Sequence, residues 1–418
     1  MHSFQNTAEY AAKLDSEDSL SHFRDRFYSP QINGKEAIYL TGNSLGLQPK
    51  AALAALQQEL DDWSKFGVEG HFEGKNPWFH YHKFLTENAA HVVGALPHEV
   101  VIMNNLTVNL HLMMVSFYQP KPGKYKIIME AGAFPSDQYA MESQVKFHGY
   151  DPSDAIIEVS PRDGEFHLRT EDILDTICQN ANETALVMFS GVQYYTGQAF
   201  DMASITKVGH EYGITVGFDL AHAAGNLLLK LHDWDVDFAV WCTYKYLNSG
   251  PGGVSGVFVN ERFANKPELP RFAGWWGHKE SERFLMKKGY IPEYGAPGWQ
   301  LSNAPVLSMA VHKASLQIFE EAGMQALNQK SKLLTDYMEF VLQNCGQALK
   351  IITPQNERGC QLSILTDANG KSMFNHLHQH NILADWREPN VIRMAPVPLY
   401  NSFTDVFKVG QAFGNFHD

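Results

Sequence analysis

Two side chains carry the first chemical suggestion in this chain. Asp219 stands in Phe218-Asp219-Leu220-Ala221-His222, and Lys245 in Thr243-Tyr244-Lys245-Tyr246-Leu247-Asn248-Ser249-Gly250-Pro251-Gly252-Gly253. Each closes an apolar run, and the second opens a glycine-rich loop. A lysine among aromatics and small residues is costly to bury unless it is paired or covalently engaged. A desolvated amine is also a nucleophile, able to form a Schiff base with a carbonyl. A carboxylate at a strand end can hold a heterocyclic nitrogen protonated, so that the ring accepts electrons. Acid and amine in this order suit pyridoxal phosphate: Asp219 on the pyridine nitrogen, Lys245 on the aldehyde. His222, three residues after the acid, can reach the cofactor or orient the carboxylate. Taken singly, Asp219 reads better as a strand-end cap and Lys245 as a solvated loop residue; together, with the glycine loop, they favour the cofactor.

Two further stretches fit that reading, each with an ordinary alternative. Asn104-Asn105-Leu106-Thr107-Val108-Asn109 closes one apolar run and opens a helical one, so first-turn N–H groups and the Thr107 hydroxyl make a phosphate seat. Helix capping explains the same pattern. Ala133-Phe134-Pro135-Ser136-Asp137 follows another apolar run, and an aromatic ring there can stack on a flat heterocycle. By itself, Phe134 reads as packing.

These residues need a scaffold, and the sequence patterns one. Strand-like runs fall at Val100–Asn104, Lys126–Glu130, Thr184–Ser190, Ile214–Leu220, Val236–Cys242 and Val254–Val259. Most are apolar throughout, as expected of strands covered on both faces. Helical spacing between them, as over Asp201–Tyr212, predicts an α/β fold: a mostly parallel central sheet with helices on both faces. After about Asn303 the texture changes. Long helical patterns at Pro305–Ala322 and Met324–Gln343 precede strand candidates at Lys350–Thr353, Gln361–Thr366 and Val391–Pro396, with helices at Lys371–Gln379 and Thr404–Phe413. The expected division is an N-terminal segment 1–49 packing on a small domain, a large cofactor-binding domain 50–302, and a small C-terminal α/β domain 303–418. The N-terminal segment carries its own glycine-rich turn, Gly42-Asn43-Ser44-Leu45-Gly46.

Composition narrows the class. In 418 residues, 44% hydrophobic and 19% charged, wholesale disorder is excluded. The formal charge of −13 argues against a duplex-binding protein, which needs a basic face. Cys178, Cys242, Cys345 and Cys360 form no C-x-x-C pair, so neither a disulfide framework nor a zinc site is expected, in keeping with a reducing cytoplasm. No uncharged apolar run reaches the ~18 residues that span a membrane.

Read together, these blocks identify a resemblance. Leu40-Thr41-Gly42-Asn43-Ser44-Leu45-Gly46, Asn105–His111, Phe134–Asp137, Asp219–His222, Tyr244–Gly252, Gly274-Trp275-Trp276-Gly277-His278, Leu301-Ser302-Asn303 and Arg387–Arg393 resemble the kynureninase family of fold-type I, aspartate-aminotransferase-like pyridoxal-phosphate enzymes. The Tyr-Lys-Tyr-Leu-Asn block is the most family-specific part. The resemblance implies that Lys245 forms the Schiff base, Asp219 pairs with the pyridine nitrogen beside His222, and Phe134 stacks on the ring. It places Leu106, Thr107 and Tyr244 at the phosphate, and Pro135, Ser136, Asp137 and Ser190 among the cofactor contacts. Trp275 and Asn303 would reach the site from the other subunit of a homodimer; the Trp-Trp pair departs from a common Trp-Phe. Arg393, flanked by Val391, Ile392 and Met394, would fork the substrate α-carboxylate, with a surface ion pair as its alternative. Asn43, His71 and Asn303 would contact substrate, with Trp275, Trp276 and His278 as further candidates for the aryl slot. His71 also reads as a plain loop histidine. The implied reaction is hydrolytic Cβ–Cγ cleavage of L-kynurenine or its 3-hydroxy form to anthranilate or 3-hydroxyanthranilate plus L-alanine, with Lys245, Tyr244 and Asp219 catalytic. His71 and Asn303 as phenol partners favour the 3-hydroxy substrate.

Rival readings are a cysteine desulfurase, which needs a mobile nucleophilic cysteine such as Cys345 or Cys360, and an aminotransferase. Cys360, in Gly359-Cys360-Gln361-Leu362, reads instead as the start of a buried strand. The cluster His376-x-His378-x-His380 lies on a helical pattern that points neighbouring ligands apart, so no metal is expected. The expected partners are a small-molecule substrate and a second copy of the chain, with no nucleic acid and no membrane.

Overall fold

Strands from across the first 260 residues assemble into one seven-stranded sheet, in a computed structural model that describes residues 3–417. In chain order they are β1 (Val100–Met103), β2 (Lys126–Glu130), β3 (Ile156–Val159), β4 (Thr184–Ser190), β5 (Thr215–Asp219), β6 (Phe238–Cys242) and β7 (Ser255–Val259). Their spatial order is β1-β7-β6-β5-β4-β2-β3. Pairings β2–β3, β2–β4, β4–β5 and β5–β6 are parallel, whereas β7 runs antiparallel to both β6 and β1. The reversal has a local cause. The β6–β7 connection contains no crossover helix, and a short return can only bring the chain back antiparallel. The strand β3 went unread in the sequence because it is a short edge strand with half-exposed residues.

The continuous apolar runs arise because both sheet faces are covered. Ile128, Val187 and Phe218 belong to one core cluster and Ile127, Leu186, Met188 and Phe238 to another. Full burial of each such side chain is worth roughly 1.5–3 kcal/mol. Close packing leaves no room at Gly217, where a Cβ would lie 2.2 Å from the Phe238 ring on the adjacent strand. Phe238 in turn stacks on Phe117, with ring centroids 4.8 Å apart.

Helices α1 (Ala51–Phe66), α2 (Leu106–Phe117) and α3 (Pro135–Phe147) precede the long α4 (Val306–Ala322), which packs on α1. Then α5 (Met324–Gln343), the strands β8 (Lys350–Ile351), β9 (Leu362–Leu365), β10 (Asp385–Arg387) and β11 (Val391–Met394), and α6 (Phe403–Gly414) form a smaller unit. Its antiparallel sheet has the order β8-β9-β11-β10. Its core of Leu334, Met338, Leu362, Ile392, Met394 and Phe413 also takes in Ala11, Ile38 and Leu40 from the N-terminal segment. Ile38–Tyr39 pairs in parallel with Ile382–Leu383. Among the described residues, no helix is long and apolar enough to cross a membrane.

Candidate active site

Glu130, Ser190 and Asp219 are the last residues of β2, β4 and β5, three neighbouring strands, so they stand in a row at the carboxyl ends of the sheet. Ser190 and Asp219 are direct Cα partners. That end is where open α/β sheets receive ligands. A cavity of about 260 Å³ opens over it. Leu106, Thr107, Phe134, Ser136 and Asp137, from the starts of α2 and α3, line it together with Ser190, Tyr194, Asp219, His222, Tyr244 and Lys245.

The N-termini of α2 and α3 meet at one end of this cavity. Thr107 Oγ1 and Ser136 Oγ lie 3.2 Å apart, and Asn105, the N-cap of α2, makes no side-chain capping bond. First-turn N–H groups and two hydroxyls therefore converge where an anion would be stabilised. Phe134 remains 42% exposed, its ring edge-on to Tyr194 at 5.2 Å and its centroid 5.8 Å from Lys245 Nζ. An aromatic face left open beside an amine is a platform for a flat ring.

Buried acids gather at the same cavity. Burial raises the Asp137 carboxyl well above its usual range, helped by the charges of Asp219 and Glu130, and its side chain hydrogen-bonds Asp219. Burial also raises Asp219, opposed by the Ala221 N–H, which donates to Oδ1 at 2.7 Å, and by Lys245. Burial pushes Glu130 up to about 7, against its hydrogen bonds from Ser190. His222 is forced well below its usual value by burial and then by Lys245, Arg393 and Arg387, so it is neutral. Two of these buried acids, Asp137 and Asp219, thus face Lys245. A protonated heterocyclic nitrogen would balance them, and the paired helix N-termini would receive an anion. Pyridoxal phosphate carries both groups, so the residues present fit it.

Lys245 Nζ lies 3.1 Å from His222 Nε2. The loop bearing it is braced by the N-terminal turn: the Gly46 N–H donates to the Tyr244 carbonyl at 2.8 Å, and a Cβ at Gly46 would sit 2.2 Å from the Lys245 carbonyl oxygen. Only glycine permits that approach. Burial, followed by the neighbouring Cys242, raises the Tyr244 phenol, which stays protonated at neutral pH.

Arg393, on β11, is 1% exposed. Its Nη1 donates to the Tyr194 carbonyl at 2.6 Å, its Nη2 pairs with Asp385, and Nε has no partner among the described residues. The surface ion pair considered for it is corrected by this burial. Asn43 is fully buried, donating to Gln361 Oε1 at 2.9 Å, and Gln361 Nε2 donates to the same Tyr194 carbonyl at 3.0 Å. Tyr194 therefore ties the cavity to the small unit.

The single chain does not bring every expected residue to the cavity. Pro135, the first residue of α3, is exposed beside it. Trp275 is 44% exposed and donates to the Arg283 carbonyl, and Asn303 is exposed on a loop. His71 Nδ1 donates to the Val68 carbonyl at 2.9 Å, and its ring packs edge-on against Trp78, with ring centroids 5.5 Å apart. Its neighbour Phe72 reaches Phe79, which contacts Trp276, so His71, Trp275 and Trp276 share one aromatic patch, and none of them lines the cavity. Sequence reasoning missed Glu130, Tyr194, Gln361 and Asp385. Glu130 and Tyr194 had a usable signal, since both lie at or just beyond the carboxyl ends of strands. Cys360 is fully buried, its thiol pushed by burial up to about 12, which does not suit a mobile nucleophile.

Solved structures share this architecture. A cysteine desulfurase from Escherichia coli superposes with a TM-score of 0.74 at 16% identity, covering 94% of this chain and 97% of that one. A cystine C-S lyase bound to cysteine persulfide does so with a TM-score of 0.74, covering 91% and 98%. Fold and site together define a fold-type I pyridoxal-phosphate enzyme. The kynureninase C-terminal domain model matches residues 327–413. Kynureninases from Christiangramia forsetii and Myxococcus xanthus are each 54% identical, over 98% and 97% of this chain and 97% and 96% of theirs. The chain belongs to the kynureninase family.

Proposed function

We propose that this enzyme hydrolyses the Cβ–Cγ bond of L-kynurenine and 3-hydroxy-L-kynurenine, consuming water and releasing anthranilate or 3-hydroxyanthranilate plus L-alanine. The observation that carries the site assignment is that buried Asp219 and Lys245 line one cavity together with two helix N-termini. Pyridoxal phosphate bound there supplies an aldehyde for the substrate amine and a ring that takes up electrons released at Cα. Leu106, Thr107, Ser136 and Tyr244 hold the phosphate, and Phe134 supports the ring face. Asp219, backed by Asp137, keeps the ring nitrogen protonated. Lys245 removes the Cα proton and carries it onward. Tyr244 acts as acid and base when water adds to the γ-carbonyl and the Cβ–Cγ bond opens. Arg393 receives the α-carboxylate in its guanidinium fork.

Asn43 contacts the substrate, and His71, Asn303, Trp275, Trp276 and His278 complete the aryl slot, with Trp275 and Asn303 supplied by the other subunit of a homodimer. The exposure of Trp275 and Asn303, and of the aromatic residues Phe72 and Phe284, supports this arrangement. The segment 1–49, the large domain 50–302 and the small domain 303–418 are the units of this reading, in a cytoplasmic enzyme. A higher kcat/KM on 3-hydroxykynurenine supports the phenol contacts; equal efficiency removes them. The decisive test is an absorbance spectrum of the purified protein, then addition of L-kynurenine. A yellow chromophore and release of anthranilate are expected; their absence refutes the assignment.

A further inference from the structure

Behind the cavity wall lies a buried acid that the mechanism above does not use. Glu130 is 1% exposed and does not line the cavity. Both its oxygens accept from the Ser190 N–H at 3.2 Å, and Oε1 also accepts from the Ser190 hydroxyl at 2.5 Å. Ser190 does line the cavity, and its strand neighbour is Asp219. We propose that Glu130 is a positioning residue that decides which way the Ser190 hydroxyl presents its proton to the bound cofactor; the proposal rests on the pyridoxal-phosphate reading of this site.

The reasoning is one of hydrogen-bond inventory. An ionised carboxylate accepts only, so Ser190 must spend its one hydroxyl proton on Glu130 and offers the cavity lone pairs alone. A protonated Glu130 donates to Ser190 Oγ instead, and the serine proton then turns toward the cavity. The charged groups facing Glu130 are acids, Asp219 on β5 and Asp137 on α3; Lys245 acts on both of those acids. Burial, reinforced by the charge of Asp219, places its ionisation at about 7, so both hydrogen-bond states are within reach near neutral pH. A glutamine at this position keeps the same length, donates permanently to Ser190 Oγ and cannot switch.

The test is the dissociation constant of pyridoxal phosphate from the apoprotein between pH 6 and 8.5, read by its visible absorption, for wild type, Glu130→Gln, Ser190→Ala and the double variant. The ratio of wild-type to Glu130→Gln constants is expected to change by about tenfold across this range, one unit of linked pKa. In the Ser190→Ala background the same comparison should be flat. A ratio constant with pH overturns the proposal, as does a pH-dependent ratio that survives loss of Ser190, which would assign the effect to charge alone. Should Glu130→Gln fail to fold, Ser190→Ala must by itself flatten the wild-type profile. A wild-type chain that takes up no cofactor refutes the site reading itself, a result distinct from either.

Discussion

Lys245 Nζ stands 3.1 Å from His222 Nε2, and His222 Nδ1 has no partner among the described residues. Because His222 is neutral, the lysine donates to Nε2 and the ring proton sits on Nδ1, in a residue that lines the cavity. A protonated imidazole here would repel the amine; a neutral one orients it. Both side chains line the cavity, so the pair is set at its wall.

Lys245→Ala should abolish covalent attachment of the cofactor and cut kcat by at least ~10³-fold, the scale of a lost general base together with a lost nucleophile. Borohydride reduction and peptide mapping check it. A pyridoxyl label on any other residue defeats the assignment.

Tyr244→Phe keeps the ring that packs beside Lys245 but removes the hydroxyl. Turnover should fall about 10²-fold or more while KM changes little, the pattern of a group acting mainly in the transition state. Unchanged turnover eliminates the acid–base role.

Arg393→Lys retains the charge but loses the planar fork, and Asp385 and the Tyr194 carbonyl each lose a donor. KM for kynurenine is expected to rise at least ~10-fold, one bidentate contact being worth over 1.4 kcal/mol. Steady-state kinetics on kynurenine and on its decarboxylated amine separate the effects: the amine should respond far less.

The proposed sharing of each site between two subunits can be tested by complementation. Lys245→Ala and Asn303→Ala chains, each impaired alone, should regain activity when mixed and refolded, because a hybrid dimer contains one site with both native residues. No recovery places Lys245 and Asn303 in sites of the same chain.

The buried Glu130 also links stability to pH. Its carboxyl sits near 7 in the folded chain against 4.5 when exposed, so the folded state holds the proton more tightly. Its contribution is full below about 4.5 and is lost as pH rises toward 7, on the order of 3 kcal/mol for the apoprotein. Thermal melts of apo wild type and Glu130→Gln from pH 5 to 8 should diverge over that window, with the variant flatter.

The residues that meet in the cavity were readable because their chemistry is local. Apolar runs mark strands buried on both faces, and polar residues at the ends of such runs are the ones a parallel sheet presents to a ligand. Asp219, Lys245, Thr107 and Phe134 could be found on that basis. Reversal of β7 was not, since direction depends on how the short β6–β7 connection closes, and Glu130 passed for the end of a strand because nothing in its neighbours announces Ser190, sixty residues on.

By itself, then, the sequence determined the identity of the chemical groups and the strands that carry them, through periodicity and residue type. Only the tertiary structure decided how those groups are charged and joined. Burial raises the carboxyls of Asp137, Asp219 and Glu130 together, and the Tyr194 carbonyl gathers Arg393 and Gln361 from the small unit. Desolvation and long-range hydrogen bonds depend on what surrounds a side chain in space, which no local stretch of sequence specifies.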